Sequence, residues 1–354
     1  METIDDECLE KALDFMTRAK EAGEPFFVWF NSTHMHFRTH AKAEELGQAG
    51  RWQSPYHDVM VSHSRLVGKL LKFLDDSGLA EDTVRVFFPF FSNTRARFLS
   101  LFLSLTFLQN LPPPPHLLNS PPLQLVQYST DNGPHANTWP DAGTTPFRGE
   151  KNSNWEGAFR VPCLVRYPKL FPAGTVLNGI FSHNDWFVTL SALMGMDDIA
   201  DRLKAGTELD GKSYKVHLDG HNQLDYLSGK SDKSAREHFF YVNDDGDLVA
   251  LRFSNWKFHF LENRCPGTLR VWAEPFTPLR VPKLYNLRTD PFEKVKRRGG
   301  GVVERDSFFF PGDVEVERRK KLQKRKLTFF SFSSFSKTPK PNRPTLSPTP
   351  TTTG

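Results

Sequence analysis

Cysteine is scarce in this 354-residue chain: Cys8, Cys163 and Cys265 are its only three. An odd, widely spaced set excludes a disulfide framework, and no C-x-x-C pair offers a thiolate metal site. The thiols leave the redox compartment open. Long apolar runs are also lacking. The longest, around Phe98 to Leu108, is shorter than the roughly 20 residues of a membrane helix and runs into a proline cluster, so no membrane span is expected. No signal peptide opens the chain. Residues 1–23, "METIDDECLEKALDFMTRAKEAG", give instead an acidic amphipathic helix pattern with Thr3 as N-cap and Gly23 as stop. The formal charge is +5, and much of the excess lies after Glu293 in "KVKRR" and "ERRKKLQKRK". Such a run can mark nucleic-acid contact. No aromatic stacking pattern or recognition helix accompanies it, so no nucleic-acid partner is expected.

What the chain does contain alternates. "PFFVWFNSTHMHF" (Pro25 to Phe37) reads as a buried strand ending in a His-containing loop. A second helix follows near Tyr56 to Ser77, with Val59, Leu66, Val67, Leu70, Leu71 and Leu74 at helical spacing; then "DTVRV" starts another strand. This order predicts an α/β protein with a mostly parallel sheet flanked by helices. Strands are expected at 25–30, 83–86, 128–130 and 159–166, the last from "GAFRVPCLVRYP". "SHNDWFVTLSALMGM" reads as a helix capped by Ser182 or Asn184. "EHFFYVNDDGDLVALRFSNWKFHFLEN" reads as hairpins turning at "NDDGD" and "SNW", a small C-terminal antiparallel subdomain.

Two stretches break the pattern. Residues 87–126 consist mostly of Phe, Leu, Ser and Pro and fit no period. A structureless loop of that length is uncommon in a compact domain. Pyrimidine-rich codons encode those four residues, so the segment reads as translated intron, with "TVRV" joining "YSTDNG" directly; a natural low-complexity insertion is the alternative. Residues 295–354 mix basic, Phe/Ser and Pro/Thr tracts and are expected to be disordered. The expected organisation is therefore a core of 1–86 and 127–200, a C-terminal region of 201–294, and two segments outside them.

In "YSTDNGPH" (Tyr128 to His135), an Asp-Asn-Gly turn after a strand suits either a tight turn or a hard-metal site at the carboxyl edge of a sheet. Taken in order, "PFFVWFNSTHMHF", "YHDVMVSHSRLVGKLLKFLDDSGLAEDT", "YSTDNGPH", "FRGEKNSNWEGAFRVPCLVRYP", "SHNDWFVTLSAL" and "LYNLRTDPFE" resemble the arylsulfatase-type sulfatases of the alkaline-phosphatase superfamily. The likeness covers roughly residues 3–86 and 128–294. It implies an alkaline-phosphatase-like fold and hydrolysis of sulfuric esters, with a sulfated small molecule or glycan as substrate. It also implies a divalent cation, usually Ca2+, with Asp131 and Asn132 matching one pair of its oxygen ligands. Lys151 matches the lysine that contacts the sulfate and leaving-group oxygen, and His36 the histidine facing the leaving group. His34 and His135 are further candidates for substrate binding; His135 reads equally well as a buried or capping histidine. Glu156, Arg160 and Asp185 read as ties between loops and sheet.

One part of the family's machinery has no counterpart. Its nucleophile is a formylglycine made from Cys or Ser in a C/S-x-P-S/A-R motif, and no residue here has that context. The early Asp-Asp pair and the later Lys-x-His segment are also missing. Asp5-Asp6 opens a helix, where acids serve the dipole, and is rejected as a metal pair. The expectation is a chain cut at its amino end and inactive as it stands. A non-catalytic sulfatase-like binding protein, or a phosphodiesterase or phosphonate hydrolase of the same superfamily, are the alternatives. Localisation and oligomeric state are not given by the sequence; the family is often secreted, periplasmic or lysosomal.

Overall fold

A computed structural model describes residues 2–24, 26–36, 38–79, 84–87, 125–136, 139, 145–209 and 211–294. Helix α1 (Ile4–Ala22) buries Leu9, Met16 and Ala19 along one face. Gly23 ends it at φ 67°, a left-handed conformation that costs glycine no Cβ clash. Thr3 holds the N-cap position without a capping bond, because its hydroxyl donates to Glu7 Oε1 at 2.7 Å instead. Helix α2 (Pro55–Asp76) starts on a proline, whose missing N–H is harmless in a first turn, and turns Val59, Leu66, Leu70 and Leu74 inward.

Strands β1 (Phe27–Phe30), β2 (Val84–Phe87), β3 (Val126–Ser129) and β4 (Cys163–Arg166) form one sheet in that order. The first two pairings are parallel and the third is antiparallel. Alternation along β1 divides the core. Phe30 and Val28 pack with Leu9, Met16, Leu66, Leu70 and Leu74 of α1 and α2. Phe27 and Trp29 pack on the other side against Trp186 and Leu190 of α3's successor, helix α4 (Asp185–Leu193), α3 being the single turn Glu156–Phe159. Helices thus cover both faces. Truncating a wholly buried leucine such as Leu74 should cost about 2–5 kcal/mol.

One sequence expectation needs correction here. The stretch 159–166 is not one strand: 156–159 is helical, and β4 begins only at Cys163 and runs antiparallel to β3. The backbone ahead of β4 is engaged elsewhere, with Ala158 O accepting from Gly133 N at 2.8 Å and Gly157 N donating to Arg148 O at 2.7 Å. Pro162 also removes a ladder donor. The segments 87–126 and 295–354 lie mostly outside the described residues. At the border, Phe87 ends β2, Leu125 is fully buried and Val126 begins β3.

Beyond α4 come α5 (Ile199–Ala205), a ribbon of β5 (Thr207–Leu209) and β6 (Lys212–Tyr214), and the turn α6 (Leu224–Leu227). A second sheet of β7 (His238–Val242), β8 (Leu248–Phe253), β9 (Trp256–Glu262) and β10 (Thr277–Asn286) is antiparallel throughout, in the order β10-β9-β8-β7. Asp185, at the start of α4, accepts from Arg236 at both oxygens, Nη2 to Oδ1 at 2.6 Å and Nε to Oδ2 at 3.0 Å, and thereby pins the entry to β7. Among the described residues no helix is long and apolar enough to cross a membrane.

Candidate functional site

Because β1, β2 and β3 run parallel, the loops leaving β1 and β3 emerge at the same edge of the sheet. The first loop is fixed from below by Asp5. Its carboxylate accepts Thr33 N at 2.7 Å, Thr33 Oγ1 at 2.8 Å and His34 N at 3.0 Å, and His34 Nδ1 lies 2.9 Å from Oδ2. Burial would raise the Asp5 carboxyl, but His34 and the Thr33 donors overcome it and bring it down to about 2. Asp5 is therefore an anchor for the loop, and His34 is turned inward to meet it. Met35 then adopts φ 75°, a left-handed conformation unusual for a side chain of its size. That reversal turns His36 toward Lys151, whose positive field it feels, and toward His135.

The second loop begins at Thr130, whose carbonyl lies 3.0 Å from the half-buried His183 Nε2. Asp131 and Asn132 follow at once, and Asn132 Nδ2 donates to Gly133 O at 2.8 Å. Gly133 is needed here for a reason other than a positive φ. A Cβ on it would stand 1.8 Å from Gly157 O, so only glycine lets the two chains stack. The stack continues through Lys151 N, which donates to Pro134 O at 2.9 Å.

Lys151 sits on a third loop, 145–155, that is bound on nearly every side. Glu150, fully buried, accepts Ala136 N at 2.7 Å and also Gly267 N. Asn152, itself left-handed at φ 68°, donates to Val271 O at 2.9 Å. Asn154 Nδ2 donates to Leu261 O at 2.7 Å, and the buried Trp155 Nε1 to Asn263 O at 3.3 Å. The second sheet thus clamps the loop. Beneath the clamp lies a buried ionic network. Lys257 Nζ is 3.0 Å from Glu156 Oε1 and 3.1 Å from Glu293 Oε1, Tyr241 donates to Glu156 at 2.6 Å, and Glu293 Oε2 accepts Glu156 N at 2.7 Å. His259 Nδ1 faces the Asn154 amide at 2.9 Å, and its Nε2 lies 2.7 Å from Glu293. Burial lowers the His259 pKa despite Glu293, which fits a neutral ring donating from Nε2.

The three loops bring Asp131, Lys151, His36 and His135 into one electrostatic neighbourhood. Burial lowers the Lys151 pKa, while Asp131 and Asp244 pull the other way. Burial, Lys151 and His135 lower that of His36. Burial also lowers that of His135, against the field of Glu150. A partly desolvated lysine beside two histidines suits an anion, whose arrival relieves both ring and ammonium. The Asp131 and Asn132 oxygens could serve a hard cation, but they are two of the roughly six to eight that calcium takes. Among the described residues no group of three or more His, Cys, Asp and Glu is placed to hold a metal. The donors present do not complete a calcium site.

Sequence reasoning missed four residues here. Glu150 and Glu293 lock the Lys151 loop, and Asp244 reaches Lys151 from the β7–β8 turn. The Trp272 ring meets His135 at a 36° tilt, 5.8 Å between centroids, and its centroid lies 5.8 Å from Lys151 Nζ. No periodicity marks these positions; Glu150, Asp244 and Glu293 lay within stretches already singled out but had been given no role, and Trp272 lay outside them all.

A family model described as Sulfatase matches residues 121–196, which contain the Asp131 turn and the Lys151 loop. The chain is 26% identical over 307 residues to steryl-sulfatase of Mus musculus, covering 80% of itself and 39% of that protein. It is 25% identical over 303 residues to N-acetylgalactosamine-6-sulfatase of Canis lupus familiaris, covering 81% of itself and 47% of that protein. The chain thus spans less than half the length of these two relatives. Among solved structures, the PsFucS1 sulfatase from Pseudoalteromonas sp. superposes with a TM-score of 0.65 at 21% identity, over 92% of this chain and 53% of that one.

Proposed function

We propose that this chain is a sulfatase-family protein of the arylsulfatase type, as the family match and the sulfatase relatives support, and that its three loops form the sulfate-ester-binding part of an active site for sulfuric ester hydrolysis. The observation that carries the reading is the convergence of His36, Asp131, His135 and Lys151 on one partly desolvated place. Lys151 pairs with the sulfate oxygens and with charge developing on the leaving oxygen. His36 faces the leaving group. Its depressed pKa keeps it neutral in the empty site at neutral pH, and the bound anion raises it toward the protonated form a general acid needs. The same reading assigns the core to the alkaline-phosphatase-like class, supported by helices on both sheet faces and the parallel β1–β3. It gives Asp131 and Asn132 the place of one pair of calcium ligands, which by themselves do not complete a calcium site. The substrate is a sulfated small molecule or glycan.

No Cys or Ser of the chain stands in the formylglycine motif, so no covalent sulfate intermediate can form on it by that route. A second reading is a non-catalytic protein that binds sulfate esters. Calorimetry of the full chain with inorganic sulfate tests the site itself. Affinity should fall at least about tenfold in Lys151→Ala, as expected for losing a charge-assisted contact. Turnover of 4-nitrophenyl sulfate in the presence of calcium and a formylglycine-generating enzyme should be absent. Unchanged sulfate affinity in Lys151→Ala would remove the site from both readings.

A further inference from the structure

We propose that Trp272 is a ligand-binding residue of this site: its indole is the platform on which the ring attached to the sulfate group rests. The inference builds on the proposed sulfate-ester site and adds what the site does with the rest of the molecule. Trp272 follows a single 3-10 turn, Leu269–Val271, that projects from the second sheet's β9–β10 connection. Its ring centroid lies 5.8 Å from Lys151 Nζ and 5.8 Å from the His135 ring, and its Nε1 donates to His135 Nε2 at 3.2 Å. An aromatic held for packing alone would be covered, yet Trp272 is 47% exposed. A sulfate seated against Lys151 must direct its ester oxygen and organic group outward, and the exposed indole stands directly beside that path.

The Trp272 backbone is fixed independently of any ligand. Val271 is buried, and its carbonyl accepts from both Asn152 and Asn263. The platform and the lysine are therefore tied to each other through Asn152, the neighbour of Lys151. Pre-organised aromatic faces of this kind take flat ring faces, whether an aryl group or a pyranose. The hydrogen bond to His135 makes that Nε2 an acceptor and so holds the ring neutral with its proton on Nδ1. His135 then orients the platform and takes no part as an acid.

Calorimetry of the full chain against three probes tests the assignment: inorganic sulfate, 4-nitrophenyl sulfate and galactose 6-sulfate. Circular dichroism first establishes that each variant folds. Trp272→Ala should leave inorganic sulfate affinity within about twofold and weaken a ring-bearing ester roughly tenfold, the size of one stacking contact. Trp272→Phe should restore most of that loss. Sensitivity confined to the aryl ester identifies an aromatic ligand, and sensitivity confined to the sugar sulfate identifies a glycan; either supports the platform. Equal loss of sulfate and ester binding without rescue by phenylalanine overturns it, because Trp272 would then only position His135. Ester affinity indifferent to Trp272 while sulfate still depends on Lys151 overturns the platform and spares the site. Sulfate binding indifferent to Lys151, or absent altogether, overturns both.

Discussion

Replacing Lys257 by methionine removes the charge at the centre of the buried network while keeping most of the side chain's volume. Lys257 is fully buried with Glu156 and Glu293 as partners, at 3.0 and 3.1 Å. Without it two carboxylates share one dry pocket. Breaking a buried ion pair by deleting one partner costs about 3–5 kcal/mol. The survivors place Lys257→Met toward the lower end, since Glu156 keeps the Tyr241 hydroxyl at 2.6 Å and Arg252 at 3.5 Å, and Glu293 keeps His259 at 2.7 Å. The sign of the pH dependence follows from Glu156. Burial pushes its carboxyl up, but Lys257, Tyr241 and Arg252 prevail and hold it below the ordinary value. That stabilisation is present above the unfolded carboxylate pKa of about 4.3 and is lost as pH falls through the lowered folded value. In Lys257→Met the same carboxyl rises, and taking up a proton relieves the repulsion. The gap between natural and variant chains should therefore be widest at neutral pH and narrow toward pH 4.5. Urea unfolding followed by tryptophan fluorescence at both pH values reads it. A loss under about 1 kcal/mol at neutral pH, or a gap that does not change with pH, would refute the claim that the network is ionic and closed.

Gly133→Ala should destabilise the chain by about 1–3 kcal/mol, the usual scale of overpacking, because its Cβ would meet Gly157 O; a thermal melt matching the natural chain would contradict the stacked loops. Proton NMR of His36 should find it titrating below the ordinary histidine value and moving upward when sulfate binds, so sulfate affinity should fall as pH rises through that midpoint. A His36 signal that ignores sulfate would detach this residue from the site. Joining Val86 directly to Tyr128 should merge β2 and β3 into one strand, since parallel neighbours require a long crossover. If residues 87–127 are an insertion, the joined chain should melt higher than the present one, and failure to fold would show the crossover to be structural.

The helices and most strands were legible because they obey simple periods. Val59, Leu66, Leu70 and Leu74 recur at helical spacing, and β7 to β9 are punctuated by turn residues. The stretch 156–159 misled because its apolar residues sit in a turn whose peptide groups serve the Gly133 and Arg148 loops, a long-range demand that no local pattern reveals. Site residues beside a recognisable turn, Asp131 and Lys151, could be picked out from neighbouring motif residues. Whether His34 or His36 faces the site could not, since that depends on the backbone reversal at Met35 and on Asp5 across the chain. The roles of Trp272 and Glu150 were hidden for the same reason: His135 and Gly267, which they contact, lie more than a hundred residues away in the chain.

The clamp on the Lys151 loop has a consequence for how the protein is made. The first sheet pairs residues far apart in the chain, Phe27 with Val84 and Arg85 with Val126, whereas β7, β8 and β9 are linked by short turns. Loops with remote partners close slowly, so the later-synthesised sheet is the quicker of the two to form. Synthesis at roughly 5–20 residues per second leaves the Lys151 loop waiting for Leu261, Val271 and finally Glu293. Throughout that interval its buried polar groups have only water or a chaperone to satisfy them. Ribosome-bound chains shorter than this therefore carry every named anion-contacting residue without the geometry that makes them a site.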